Sequence, residues 1–206
     1  MEGVGLIVGV AVLVGVEVIR LVCVGVRVSP NGGTTPSDVT VGDGVASYGM
    51  FTSIQKAINA LPVAGGVVCV LPGTYNESVT IQNRSDVVVH GCDARSRVRA
   101  TDPMLPSGAP AGPLPAFLIV NSKKIAIEHL SIESGPRSAV DVMGSKWIAI
   151  RQCVIQMRDV ATTYQPIFVH GDKRSVSTDV VIEKNLIGIL PRRDFPAGVL
   201  RSAFDS

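Results

Sequence analysis

Four short apolar segments in this chain superpose on one another without gaps. They cover residues 87–92, 125–130, 148–153 and 180–185, and each begins with alternating branched aliphatic side chains. The last three continue in register to Ile132, Ile155 and Ile187. Alternation with a period of two is the signature of a β-strand, and recurrence of the same strand along a chain is typical of repeat architectures. The chain is therefore predicted to stack equivalent strands.

A second apolar strand precedes each of these segments. The four upstream strands are residues 79–81, 118–120, 140–142 and 167–169. The interval from Ile127 to Ile150 is 23 residues, and the longer intervals of 38 and 32 residues are explained by loops at 103–115, 162–163 and 173–177. A constant strand unit with variable loops predicts a solenoid, here a right-handed parallel β-helix of about five coils.

The register of this solenoid follows from the superposition. Stacked coils place equivalent residues above one another, about 4.8 Å apart. The predicted inward ladder is Val89, Ile127, Ile150 and Ile182. The predicted outward ladder is His90, Glu128, Arg151 and Glu183, which sets opposite charges side by side and disfavours a slip in register.

One amphipathic helix is predicted over residues 51–61. Ile54, Ile58 and Leu61 share a face, Thr52 or Ser53 can cap its start, and Pro62 ends it. A short helix ahead of a solenoid is expected to cover the open apolar end of the first coil.

The first 49 residues are predicted to form a β-rich extension and linker ahead of a β-helix at 50–206. Val recurs at every second position from 8 to 18 and from 22 to 28, which favours a strand over a membrane helix. A membrane or signal segment is the alternative, because residues 4–28 are long enough to span a bilayer. Glu17 and Arg20 would each cost about 2.5–3.5 kcal/mol at its centre. Residues 30–38 are rich in turn formers and indicate a linker.

The net charge argues against nucleic-acid binding, and the cysteine spacing argues against a zinc site. The net charge of +2 is too small to predict a nucleic-acid-binding protein. The four cysteines are widely spaced and form no zinc-binding pattern, so we expect thiols packed as small apolar side chains and no metal site. No cofactor is predicted, apart from calcium if the protein is a lyase.

The opening of the predicted solenoid resembles a known superfamily. Residues 51–62, followed by the run Leu71-Pro72-Gly73-Thr74-Tyr75-Asn76-Glu77, are similar to the start of pectate-lyase-like and pectin-methylesterase-like β-helix proteins. This resemblance implies the fold, and it extends in weaker form over about residues 50–190. The superfamily contains lyases, hydrolases, esterases, tailspikes and proteins without known chemistry. The esterase signatures Asp-Phe-Ile-Phe-Gly and Arg-Pro-Trp do not occur here, so that activity is not implied.

Candidate catalytic residues are Asp141, His170 and Asp172. Asp141 points outward between two valines, and the other two follow the equivalent strand of the next coil, so all three are predicted to lie within about 10 Å. A carboxylate beside an imidazole suits proton transfer, and two carboxylates suit glycoside hydrolysis. His170-Gly171-Asp172 is also a common turn sequence, which is the simpler interpretation.

Candidate substrate-binding residues are mostly arginines. Arg95, Arg97 and Arg99 alternate and could place three guanidinium groups on one edge to bind carboxylates or sulfates, although a solvated strand is the commoner explanation. Arg151 on the outward ladder is a further candidate. Phe168 and Trp147 are candidate sugar-stacking aromatics, or else covers over the rim of the core.

These features predict a carbohydrate-interacting β-helix repeat module, secreted or displayed on a cell surface, with a polysaccharide or glycan as its partner. A polysaccharide lyase or glycoside hydrolase acting on an acidic polymer is the first alternative, and a structural stalk or assembly protein is the second. The sequence shows no cap after the last coil, so a protein partner, a second copy or a missing continuation is expected at that end.

Overall fold

A computed structural model describes residues 38–101, 114–134, 137–157, 165–171 and 175–189. The predicted N-terminal strand or membrane segment at 4–28 and the candidate Asp172 lie outside the described residues. Within the described ranges, no helix has the length and apolar character needed to cross a bilayer.

The described chain consists of one helix and fifteen short strands. In chain order they are β1 (Asp38–Val41), α1 (Ile54–Ala60), β2 (Gly66–Val70), β3 (Gly73–Asn76), β4 (Val79–Gln82), β5 (Ser85–Gly91), β6 (Ser96–Arg99), β7 (Phe117–Val120), β8 (Lys123–Glu128), β9 (Ser131–Ser134), β10 (Val140–Met143), β11 (Lys146–Arg151), β12 (Val154–Met157), β13 (Ile167–His170), β14 (Thr178–Glu183) and β15 (Leu186–Ile189).

The strands form three parallel sheets that the chain visits in turn. Sheet I has the order β1-β2-β5-β8-β11-β14, sheet II has β3-β6-β9-β12-β15, and sheet III has β4-β7-β10-β13. Each coil runs through sheets I, II and III before the next coil begins. This confirms the predicted right-handed parallel β-helix, the hand that crossovers between parallel strands almost always take.

The predicted inward ladder is confirmed. Val89 pairs with Ile127, Ile127 with Ile150, and Ile150 with Ile182. The first three are fully buried, and each such side chain contributes about 1.5–3 kcal/mol. Ile182, in the last described coil, is 46% exposed.

The outward ladder also has the predicted register. His90 lies opposite Glu128, Glu128 opposite Arg151, and Arg151 opposite Glu183. The Glu128 carboxylate contacts both neighbours, with His90 Nδ1 at 3.3 Å and Arg151 Nε donating at 2.7 Å.

The upstream strands form sheet III, with one difference in register. Val79 and Val140 both pair with Phe117, one residue before the predicted start of this strand at Leu118. Phe117 is fully buried, and the core accepts its larger ring in place of a valine. The first described strand, β1, pairs with β2, so the solenoid includes residues upstream of the predicted boundary at residue 50.

The corners between sheets are made by residues in the left-handed region and by polar side chains. His129, Gln152 and Lys184 all have φ near 55° at the corner from sheet I to sheet II. Gly91 occupies the preceding position of this series, where a Cβ would lie 2.3 Å from the carbonyl oxygen of His129. Glycine is therefore required there by the close approach of the next coil.

Helix α1 packs on β1, β2 and β4 and buries Ile54, Ala57 and Ile58, so it covers the first coil as predicted. Ser53 is its N-cap and accepts from the Lys56 amide. Contacts from the solenoid hold both helix ends.

The Glu77 carboxylate holds the N-terminal end of α1. It accepts hydrogen bonds from the Ile54 amide at 2.7 Å, the Gln55 amide at 3.2 Å and the Ser53 hydroxyl at 2.8 Å. Glu77 ends the Leu-Pro-Gly-Thr-Tyr-x-Glu run, so this sequence motif joins the first coil to its covering helix.

At the C-terminal end, the Arg84 guanidinium donates to the carbonyls of Ile58, Leu61 and Pro62 at 2.9–3.3 Å. The Gln55 amide group pairs with the backbone of Thr80 in both directions, at 2.6 and 3.0 Å, which occupies the edge of sheet III as another strand would.

Candidate functional site

Sheet III presents the face on which the candidate catalytic residues meet. Because side chains alternate along a strand, Val140 and Val142 point into the core while Asp141 points out. The outward row through this position continues to Phe168 on β13, and His170 lies two residues further along the same strand. Asp141 and His170 are therefore diagonal neighbours on adjacent coils.

Asp141 and His170 form a hydrogen-bonded pair. His170 Nε2 lies 2.9 Å from Asp141 Oδ1, and Arg137 Nη2 lies 3.5 Å from Asp141 Oδ2. The Asp141 residue is only 1% exposed, although its side chain lies on the outer side of sheet III. Both carboxylate oxygens are thus occupied by cationic or donor groups, which offsets the cost of burying the charge.

The His170 ring is held from a second side by Phe168. The two ring centroids are 4.7 Å apart with planes tilted by 25°, a stacked arrangement. In the tautomer in which Nε2–H donates to Asp141, Nδ1 is the nitrogen that can accept a proton. A carboxylate that orients an imidazole in this way is the usual support for a general acid or base.

Asp172 was predicted to complete this group, and it lies outside the described residues. The predicted proximity of Asp141 and His170 is seen in the structure, and whether a second carboxylate joins them stays a prediction.

The candidate arginines lie away from this face and are already paired. Arg95 precedes β6 and bonds to Asp93 through Nε at 2.8 Å and Nη2 at 2.6 Å. This contact lowers the pKa of Asp93 and raises that of Arg95. Arg97 and Arg99 share a face of sheet II, as their alternation predicted.

Both of those sheet II arginines contact the buried carboxylate of Glu133, at 3.1 and 2.9 Å. Arg151 lies on sheet I and bonds to Glu128 through Nε at 2.7 Å and Nη2 at 2.6 Å. The predicted arginines therefore form ion pairs with carboxylates of the protein itself and do not line a common groove. Trp147 is 53% exposed at the start of β11, also on sheet I.

The sequence interpretation missed a second polar cluster at the corner between sheets I and II. His90, Glu128 and His129 each place one nitrogen or oxygen within 4.8 Å of the others. The imidazoles of His90 and His129 are 4.8 Å apart between ring centroids. Burial, followed by the nearby His90, lowers the pKa of His129. Superposing the coils showed His90 above Glu128, but the corner geometry that brings in His129 had no sequence signal beyond the aligned Gly91.

Comparison with known proteins defines the fold. No protein-family model matches the sequence, and a comparison with curated proteins finds no match. Among solved structures, a pectin methylesterase mutant bound to a hexasaccharide superposes with a TM-score of 0.51 at 14% identity, covering 77% of this chain and 57% of that one. The chain has the parallel β-helix fold of these enzymes.

Two further structures are similar. A pectin methylesterase bound to another hexasaccharide matches with a TM-score of 0.52 at 14% identity, over 77% of this chain and 57% of the other. Pectin methylesterase PemA from Erwinia chrysanthemi matches with a TM-score of 0.49 at 16% identity, over 72% and 51%. This β-helix thus spans a little more than half the length of the solved structures it resembles.

Proposed function

We propose that this β-helix binds a polysaccharide along the outer face of sheet III. The observation that carries the proposal is the Asp141–His170 pair, held beside the exposed ring of Phe168 on one continuous face. Consecutive strands of the sheet are about 4.8 Å apart, so an extended polymer lying across them meets one outward side chain from every coil.

The groups on this face suit a sugar chain. Phe168 is 40% exposed, and the apolar face of a pyranose can pack on the part of its ring that His170 leaves uncovered. His170, with a third of its side chain exposed, offers a hydrogen bond to a hydroxyl. The half-exposed guanidinium of Arg137 supplies a positive charge for an acidic sugar.

Pectic polymers are the first probes to use, since two of the similar solved structures are pectin methylesterases bound to hexasaccharides. A protein that binds such polymers would act outside the cell or on its surface, and we include that location in the proposal.

Polysaccharide cleavage is the second candidate function, favoured by the buried carboxylate that orients His170. An imidazole held in this way can remove a proton from a sugar, as a lyase requires. A glycoside hydrolase would instead need two carboxyl groups about 5–9.5 Å apart, and Asp172 is the residue that would have to supply the second.

Affinity electrophoresis in gels containing polygalacturonate, with pectin as a second matrix, tests the binding proposal. We expect Phe168→Ala to weaken binding about tenfold, equivalent to about 1.4 kcal/mol. Trp147→Ala is the matched control, because it removes an exposed aromatic ring from sheet I and is expected to leave binding unchanged. Retardation that is equal for the wild type and both variants would place binding elsewhere, and no retardation in any glycan matrix would favour the structural-stalk alternative.

Cleavage is tested separately by the ultraviolet absorbance of the unsaturated product that a lyase releases. The assay is run with calcium and with a chelator, since calcium was expected only for a lyase. Asp141→Asn, which retains the shape of the side chain, is expected to abolish any release that the wild type shows. Release that survives this substitution would exclude the Asp141–His170 pair as the catalytic group while leaving the binding proposal standing.

A further inference from the structure

The corner between sheets I and II carries two imidazoles and a carboxylate from adjacent coils. His90 lies near the end of β5, Glu128 ends β8, and His129 follows it immediately. The left-handed backbone of His129, with φ of 56°, turns the chain at this corner and brings its ring beside that of His90. In the next coil the same corner position is Gln152.

The separations within this group approach those of ligands on a single ion. Two donors bonded to one metal at 2.0–2.1 Å with tetrahedral angles lie about 3.3 Å apart. His90 Nδ1 and Glu128 Oε2 are 3.3 Å apart, and no pair of ligand atoms in the group exceeds 4.8 Å. Binding of all three groups to one ion therefore requires the longer separation to shorten.

The carboxylate is already oriented for such a role. Arg151 donates to Oε1 of Glu128 at 2.7 Å, while Oε2 is the oxygen that faces His90. Carboxylates that bind metals are commonly held by an outer hydrogen bond of this kind, which fixes the direction of the remaining oxygen. Arg151 therefore leaves Oε2 available and need not move.

We propose that His90, Glu128 and His129 bind one divalent transition-metal ion, with Zn²⁺ as the representative. Two imidazole nitrogens and one carboxylate oxygen form a common protein zinc set that leaves a fourth position for water. Calcium and magnesium prefer all-oxygen sites and are not expected here. The ion would join the coil of β5 to the coil of β8, so it would tie two rungs of the solenoid together.

This site is separate from the proposed carbohydrate face, because it lies at the edge of sheet I whereas the Asp141–His170 pair lies on sheet III. Either proposal can fail without affecting the other.

Titration of Zn²⁺ into the full chain against a chromogenic chelator tests the site. The chain has three histidines in all, so each can be replaced in turn. We expect one equivalent of bound Zn²⁺, a loss of affinity of at least about tenfold in His90→Gln and in His129→Gln, and unchanged affinity in His170→Gln. Equal affinity in all three variants, or a loss confined to His170→Gln, would overturn the proposal.

A measurement on the unaltered protein covers the case in which a variant fails to fold. In NMR spectra, stoichiometric Zn²⁺ is expected to shift the ring resonances of His90 and His129 and to leave those of His170 in place, whereas Ca²⁺ shifts none. Zn²⁺ is also expected to raise the unfolding temperature with increasing concentration, because it binds the folded chain. The absence of ring shifts with stoichiometric Zn²⁺ would refute the site directly.

Discussion

Replacing Glu77 with glutamine is expected to loosen helix α1 from the solenoid. The carboxylate accepts from two backbone amides in the first turn of the helix and from the Ser53 hydroxyl. A glutamine at the same place keeps one oxygen, which can still accept from the Ile54 amide. Its NH₂ group cannot accept from the Gln55 amide, and the negative charge at the helix N-terminus is lost.

The magnitude follows from these losses. A hydrogen bond to a charged group contributes about 1.5–3 kcal/mol, and a negative charge near a helix N-terminus about 0.3–1 kcal/mol. Ser53 remains as the N-cap, so part of the hydrogen bonding at the helix N-terminus is kept. We therefore expect Glu77→Gln to lower the free energy of unfolding by about 2 kcal/mol.

Urea unfolding followed by circular dichroism measures the effect as a lower midpoint at an unchanged slope. Glu183→Gln is the matched control, since Glu183 is exposed at the end of β14 and is expected to change the free energy by less than about 0.5 kcal/mol. If Glu77→Gln shifts the midpoint no more than this control does, the Glu77 carboxylate does not stabilise the helix. The hypothesis that this motif joins the first coil to α1 would then be refuted.

Three further predictions concern the coil corners and edges. Gly91→Ala is expected to destabilise the protein by more than about 1 kcal/mol, because its Cβ would meet a backbone carbonyl at 2.3 Å, whereas Gly188→Ala, with open space around it, should be tolerated in the same urea assay. Backbone amides hold the pKa of Asp43 near 2, below its usual 3.8, so its stabilisation is complete above about pH 4 and is lost as the pH falls toward 2. The wild type should therefore be more stable than Asp43→Asn by a constant amount above about pH 4, and the difference should shrink as the pH falls toward 2. Burial raises the pKa of the Cys153 thiol to about 11, so a thiol reagent at pH 8 should label this residue only after unfolding, and rapid labelling of Cys153 itself in the folded protein would contradict this.

The stacking of coils could be predicted from the sequence because each coil repeats the same alternation of branched aliphatic side chains. Branched aliphatics at equivalent positions, such as Ile127 and Ile150, can share a column only in one register. The same alternation placed Asp141 and His170 outward and close together. The one-residue error at Phe117 arose because Leu118, Ile119 and Val120 suit a strand equally well in either phase.

The remaining contacts depend on pairs of residues that no local pattern connects. Arg84 caps the end of helix α1 by donating to the carbonyl of Leu61, 23 residues earlier, and Glu77 caps the start of the same helix from the turn after β3. Charge alone could not show that Arg97 and Arg99 would both bind Glu133, since that requires knowing which coil lies next to β6. His129 joins the cluster because its backbone is in the left-handed region, and a histidine in a sequence does not indicate that conformation.

The connections of this solenoid differ greatly in length, and their placement has a consequence for how such a protein can diversify. Chain turns from sheet I to sheet II at nearly constant length, for example at residues 129–130 and 152–153, while the connections over 100–116, 158–166 and 171–177 all enter or leave sheet III. Loop closure becomes only slowly more costly with length. Insertions in these connections therefore cost little and leave the aliphatic columns of the core unchanged, so the segments that border sheet III can diversify in length while the stacking of the coils is conserved.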